Sequence, residues 1–202
     1  MNTDICLSGV PGLRPGFCHP VLESQRTFRT ILNAMVNPGR VLLAEGSVRV
    51  PEPLHPAAAA VCLTLLDFET PLWVDLPLFS EPVRWLQFHC GCALTPQPSA
   101  AKFALITDWS APPSLDAFYI GQDQSPGSSA TLILQVSGLI AGSGRRLTGP
   151  GIEIESRLEV EGLPDHFWTF WKANHRFYPL GVDIIFTAGS VLTALPRTTL
   201  VE

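Results

Sequence analysis

His89-Cys90-Gly91-Cys92 sets an imidazole and two thiols within four residues. Imidazole nitrogen and thiolate sulfur are both good zinc ligands, and Cys90 and Cys92 share one face if the segment is extended. A closed structural zinc site needs four ligands, however, and the sequence has no second cysteine pair and no His-x₃₋₅-His. His166 and His175, nine residues apart, suit no simple helical chelate. The expectation is therefore no metal, with Cys90 and Cys92 as ordinary buried thiols beside a hydrogen-bonded His89; a redox dithiol is the lesser alternative.

A second group has the residue types of an anion site. Gly138 to Gly144 lead into Arg145-Arg146, and Gly149-Pro150-Gly151 follows. Backbone amides in glycine turns can cradle an anion, and guanidinium suits phosphate or phosphonate oxygens. No Gly-Lys-Ser/Thr of a phosphate loop accompanies them, so a β-hairpin turn with solvated arginines is the plainer reading. Arg197 is the third candidate. If Val182 to Thr187 and Val191 to Leu195 run antiparallel around Ala188-Gly189-Ser190, Asp183 and Arg197 fall at one end of that hairpin. There they either pin the sheet as a bidentate pair, with Gly181 admitting a close backbone, or leave Arg197 free to hold an anion.

Nucleophilic chemistry finds little to work with. No Gly-x-Ser-x-Gly elbow is present. Asp67 and Glu69 read as turn carboxylates rather than a paired acid and base. A pyridoxal phosphate enzyme needs an active-site lysine, and Lys102 and Lys172 are the only two lysines, one in an expected strand and one on the polar side of an expected helix. Phe167, Trp168, Phe170 and Trp171 read as helical core or partner-facing surface rather than as an exposed aromatic platform.

The elements that must position these groups alternate between helix and strand. Ser24 to Val36 has Phe28, Ile31, Leu32 and Met35 on one helical face, and Asn37-Pro38-Gly39 ends it. His55 to Leu66 is apolar nearly all round and reads as a core helix. Ser80-Glu81-Pro82-Val83 has a capping serine, an acid and a proline, the signature of a helix start. Pro164 to Phe177 reads as a further helix. Pro71 to Asp75, Lys102 to Ile106, Ala130 to Val136 and Leu158 to Val160 read as strands, with the hairpin of residues 182–195 closing the chain. The expectation is one α/β domain over residues 16–202, with a mixed sheet flanked by helices, after a mobile N-terminal segment of residues 1–15.

Composition bounds the function. The 202 residues carry 13 basic and 18 acidic groups, a net charge of −5, which excludes a basic nucleic-acid-coating surface. The longest apolar run, Ala57 to Leu66, falls short of the ~20 residues of a spanning helix, and no basic segment followed by a long apolar one opens the chain. A cytoplasmic protein is expected, with neither membrane nor nucleic acid as partner. Charged residues make up only 15%, against about 25% in ordinary soluble domains, so neutral or apolar surface must remain and a protein partner or self-association is expected. The five cysteines, Cys6, Cys18, Cys62, Cys90 and Cys92, follow no framework spacing and are expected as thiols.

Word by word, the chain resembles one family. Gly16-Phe17, Pro20-Val21, Phe28-Arg29 and Pro38-Gly39 are followed by Leu63-Thr64-Leu65, Thr70-Pro71-Leu72-Trp73 and Phe88-His89. Then come Ser129 to Leu134, Leu147-Thr148-Gly149-Pro150-Gly151-Ile152, Pro179-Leu180-Gly181-Val182-Asp183 and Pro196-Arg197-Thr198-Thr199. Order and spacing together resemble the PhnH family, a subunit of the bacterial carbon–phosphorus lyase complex that degrades phosphonates. The resemblance implies a fold like the large domain of pyridoxal-phosphate-dependent transferases, without that cofactor. It implies partners PhnG, PhnI and PhnJ, and a homodimer in isolation. The complex couples an alkylphosphonate to ATP, giving α-D-ribose 1-methylphosphonate 5-triphosphate when the alkyl group is methyl. An accessory subunit of that multi-subunit transferase, not active alone, is the implied role; the alternative is a subunit whose arginines hold phosphate or phosphonate in the ribosyl-transfer site. The family supplies no agreed catalytic residues to carry over. Cys90 and Cys92 fall outside its pattern, where only His89 fits.

Overall fold

The structure is a computed structural model, and it describes residues 14–44, 46, 48–109 and 113–202. Residues 1–13, and with them Cys6 and most of the expected N-terminal segment, lie outside the described residues. Three apolar runs build the centre: β3 (Phe103–Ile106), β4 (Thr131–Gln135) and β7 (Asp183–Ala188). They pair in parallel with one another, and β2 (Leu72–Val74) pairs in parallel with β3. Successive side chains leave a strand on opposite faces, so Leu105, Ile133 and Ile185 enter one core while Ala104, Ile106, Leu132, Leu134, Ile184 and Phe186 enter the other. Burial on both faces is why these strands read as unbroken apolar runs. The hairpin partner β8 (Val191–Leu195) and the short β1 (Leu42–Leu43) add antiparallel, giving a six-stranded mixed sheet ordered β1-β8-β7-β4-β3-β2.

Three helices cover the first face. In α2 (Pro56–Leu65) every residue from Ala57 to Cys62 is buried, because α1 (Pro20–Val36) and α3 (Glu81–Cys90) pack on it from either side of the sheet contact. Small alanines allow that close approach. The entry to α2 is tied to the sheet: Gln135, at the end of β4, accepts from the His55 backbone N–H at 2.6 Å and donates to the Pro53 carbonyl at 2.9 Å. The opposite face carries α4 (His166–Arg176) and a three-stranded antiparallel sheet of β6 (Ser156–Glu161), β5 (Gly138–Thr148) and β9 (Leu200–Val201). Phe167, Trp168 and Trp171 of α4 are buried against that side, as expected for a core helix.

Two expectations change. Ser80 stands at the start of α3, but its hydroxyl caps nothing; the oxygen is buried without a partner, and the turn is closed instead by the Arg84 N–H on the Ser80 carbonyl at 3.1 Å. The glycine-rich stretch 138–144 is not a hairpin turn. It lies within the eleven-residue strand β5, whose register against β6 shifts between Ala141 and Arg145, where Gly142 and Gly144 take φ of +81° and +75°. The extra residues are absorbed as a bulge.

The turn that does follow is Gly149-Pro150-Gly151. Gly151 has φ +84°, and a Cβ there would stand 1.9 Å from the Val36 carbonyl at the end of α1. Gly151→Ala is expected to cost about 2 kcal/mol or more, since conformational strain and a backbone clash add. Gly91→Ala, at φ +67° with open space around it, is expected to cost about 1 kcal/mol. Denaturant unfolding of the two variants checks the difference; equal losses would show that the close approach does not constrain the fold.

Candidate functional site

Asp183 opens β7, and Arg197 follows β8, so the hairpin brings them to one sheet end. The guanidinium grips the carboxylate through two nitrogens, Nε donating to Oδ1 at 3.1 Å and Nη2 to Oδ2. The Arg197 backbone N–H donates to the same Oδ1 at 2.8 Å, and Nη1 donates to the Pro126 carbonyl at 2.8 Å. Both side chains are largely covered, at 12% and 21% exposure. Each of the three guanidinium nitrogens Nε, Nη1 and Nη2 donates to a protein acceptor. Gly181 admits the neighbouring approach: at φ +121° it leaves room for Asn174, whose side chain donates to the Val182 carbonyl and accepts the Val182 N–H.

Arg145 and Arg146 sit together on β5 but point to different partners. Arg146 bridges Glu155 and Glu202 at 2.7 and 2.8 Å, and these carboxylates push its already high pKa further up. Arg145 lies over the Trp168 ring at 5.1 Å, a cation–π arrangement, with a long 3.9 Å contact to the exposed Asp165. Gly149 and Gly151 serve backbone packing at Thr198 and Val36.

His89, in the last turn of α3, donates from Nε2 to the Arg14 carbonyl at 3.0 Å, and the Trp85 indole N–H donates to the same oxygen at 2.8 Å. Gly16 packs against the His89 ring, so the described start of the chain is fastened to α3. Cys62, Cys90 and Cys92 are free thiols in one core cluster, whereas Cys18 is disulfide-bonded, which corrects the expectation of thiols for that residue. Among the described residues, no group of three or more His, Cys, Asp or Glu side chains is arranged to hold a metal ion. Lys102 precedes β3, its backbone N–H on the Pro71 carbonyl, and Lys172 is exposed on α4.

Two features were missed by sequence reasoning. Asp75 directly follows β2, and its carboxylate accepts from the Thr107 N–H at 2.7 Å, the Asp108 N–H at 2.9 Å and the Thr107 hydroxyl at 3.0 Å. Burial raises its pKa against the pull of those donors. An acid closing an apolar strand, followed one strand later by Thr-Asp, is the signal that was there to read. The second feature is the outside of α1. Ile31 enters the core as expected, but Phe28 and Leu32 do not; with Val21 and Val36 they form an exposed apolar line at helical spacing, 44–81% accessible. Arg26, Arg29 and Asn33 border it and face Leu42 and Leu43 across a groove of about 670 Å³. An apolar centre beside a polar rim is the anatomy of a protein interface.

A family model described as "Bacterial phosphonate metabolism protein (PhnH)" matches residues 15–202. The chain belongs to the PhnH family. It is 35% identical over 187 residues to the Rhizobium meliloti (strain 1021) protein named "Alpha-D-ribose 1-methylphosphonate 5-triphosphate synthase subunit PhnH", covering 92% of this chain and 94% of that one. It is 33% identical over 182 residues to the Stutzerimonas stutzeri protein named "Putative C-P lyase subunit protein HtxG", covering 88% of this chain and 85% of that one. In this PhnH-family fold, the motif words quoted from the sequence are joints: His89 on Arg14, Gly151 on Val36, and Arg197 on Asp183 and Pro126.

Two outcomes follow from this geometry. Removing the Arg197 side chain leaves a covered carboxylate unpaired, so Arg197→Ala is expected to destabilise by about 3 kcal/mol, whereas Arg146→Ala, at a solvent-exposed pair, should barely move the unfolding midpoint. Urea unfolding of both variants is the measurement. For Asp75, a folded pKa above the unfolded one means that its favourable contribution is present at low pH and is lost as pH rises through the folded pKa. The wild type should therefore lose stability relative to Asp75→Asn as pH climbs from about 4 toward neutrality. A pH-independent difference between the two would mean that the carboxyl titrates alike folded and unfolded.

Proposed function

We propose that this chain acts as the accessory PhnH subunit of a carbon–phosphorus lyase core, working with PhnG, PhnI and PhnJ in coupling an alkylphosphonate to ATP. It contributes no catalytic group of its own and binds no pyridoxal phosphate, although the layered sheet is read as kin to the large domain of pyridoxal-phosphate-dependent transferases. The proposed setting is the cytoplasm; among the described residues no helix is long and apolar enough to cross a membrane. The observation that carries this reading is the division of labour between inside and outside. Arg146 and Arg197 are occupied by carboxylates of the same chain, while the apolar line on α1 is open to solvent. The relatives' names supply the complex. The alternative, an arginine lent to the ribosyl-transfer site, rests on Arg145, whose acidic contact is the longest of the three at 3.9 Å.

In isolation, the α1 line is proposed to meet its copy in a second molecule. At 1.5 Å per residue, 17 residues make a seam of about 25 Å, and the groove beside it adds surface toward the roughly 800 Å² per partner of a standard interface. Phe28→Asp with Leu32→Asp should leave the melting temperature near that of the wild type, since both positions are exposed, and weaken the dimer by about 30-fold or more. Light scattering across micromolar dilutions reads the second effect; a double variant that stays dimeric would move the interface elsewhere. The subunit role itself is tested by co-expressing a tagged form with PhnG, PhnI and PhnJ. Recovery of the tagged chain alone would overturn it.

A further inference from the structure

Cys90 is the last residue of α3, Gly91 caps the helix in the left-handed conformation, and Cys92 turns back into the core. A residue with helical-magnitude dihedrals of either hand brings its two neighbours' Cα atoms to about 5.5 Å, inside the 4.4–6.8 Å range of disulfides. The two thiols are hydrogen-bonded to each other. Cys62, on α2, completes the cluster but is fully buried, whereas Cys90 is partly open to solvent. A Cβ at Gly91 would meet nothing within 4 Å, so there is free space beside the turn for an approaching reagent and for the ring closure.

We propose that Cys90 and Cys92 form a reversible dithiol–disulfide couple whose reaction partner is a small disulfide of the oxidised-glutathione type. The Cys90 sulfur, as thiolate, attacks one sulfur of the small disulfide and expels the other as a thiolate. Cys92 then attacks Cys90 in the mixed disulfide and releases the second small thiol. One S–S bond is broken and one formed; the protein gives up two electrons and two protons, and the small disulfide takes them up as two thiols. The hydrogen bond holds Cys92 below the usual thiol range, which readies it as the thiolate of the second step, while Cys90, pushed up, makes the first attack through its minor thiolate fraction. Cys62, which burial pushes well above the usual thiol range, stays protonated and takes no part.

The full chain is incubated in glutathione buffers of varied oxidised-to-reduced ratio, alkylated, digested with trypsin and weighed. The peptide of residues 85–102 holds both cysteines. It is expected to lose two hydrogens without gaining glutathione as the ratio rises, and to recover them in reduced glutathione. Cys92→Ser is expected to stop at a glutathione adduct on Cys90, while Cys62→Ser behaves as the wild type. A wild-type peptide that stays reduced at every ratio, that keeps glutathione as Cys92→Ser does, or that cross-links to Cys62 would overturn the proposal.

Discussion

The ion pair of Arg197 with Asp183 lies where four segments meet at one end of the molecule. Asp183 starts the central strand β7, and Arg197 lies in the turn between β8 and β9. The same guanidinium reaches the Pro126 carbonyl, and the Arg197 carbonyl accepts from the His175 ring on α4 at 2.9 Å. The main sheet, the small sheet, the 126 loop and α4 thus meet at one residue. A planar fork with fixed donors suits such a junction better than a flexible ammonium would. The cost of desolvating both charges is offset because the guanidinium's contacts at Nε, Nη1 and Nη2 and both carboxylate oxygens are satisfied.

That junction explains why a chain with so few charges places some of them inside. Where charges are covered, they fasten elements; where the surface is open, it is often apolar. The stripe on α1 illustrates the second half. A helix covering a sheet needs about a third of its circumference apolar, and α1 has more: Thr27, Ile31 and Ala34 face the sheet, and Val21, Phe28, Leu32 and Val36 face away. The excess is open to solvent in the single chain. It fits a protein whose work is done in company, as the names of its PhnH-family relatives state of those proteins.

Much of this architecture was legible where local signals and tertiary demands agree. The β7–β8 hairpin follows from two apolar runs around Ala188-Gly189-Ser190, and the all-round apolar α2 could only be a buried helix. Legibility failed where tertiary contact decides. Gly138 to Gly144 carries three glycines and a serine, yet pairing with β6 draws it into a strand and confines Gly142 and Gly144 to a bulge. The two residues of β1 are a strand solely because β8 lies beside them. On α1 the period shows which positions are apolar but not which of them the sheet will cover. For the arginines, the sequence offered Asp183 as a partner to Arg197 but gave no sign that Glu155 and Glu202 would converge on Arg146 from two other segments. Asp75 was overlooked because the strand-end acid and the later Thr-Asp become partners only when β3 ends beside β2.

The central claim is that the arginines of this chain hold the fold and its surface holds the partners. Calorimetric titration of the purified, isolated protein with ATP and with methylphosphonate tests it most directly. The account predicts no saturable heat with either ligand, alone or in sequence. Saturable binding that Arg145→Ala or Arg197→Lys abolishes, in a protein that remains folded, would contradict it and place an anion site in this subunit.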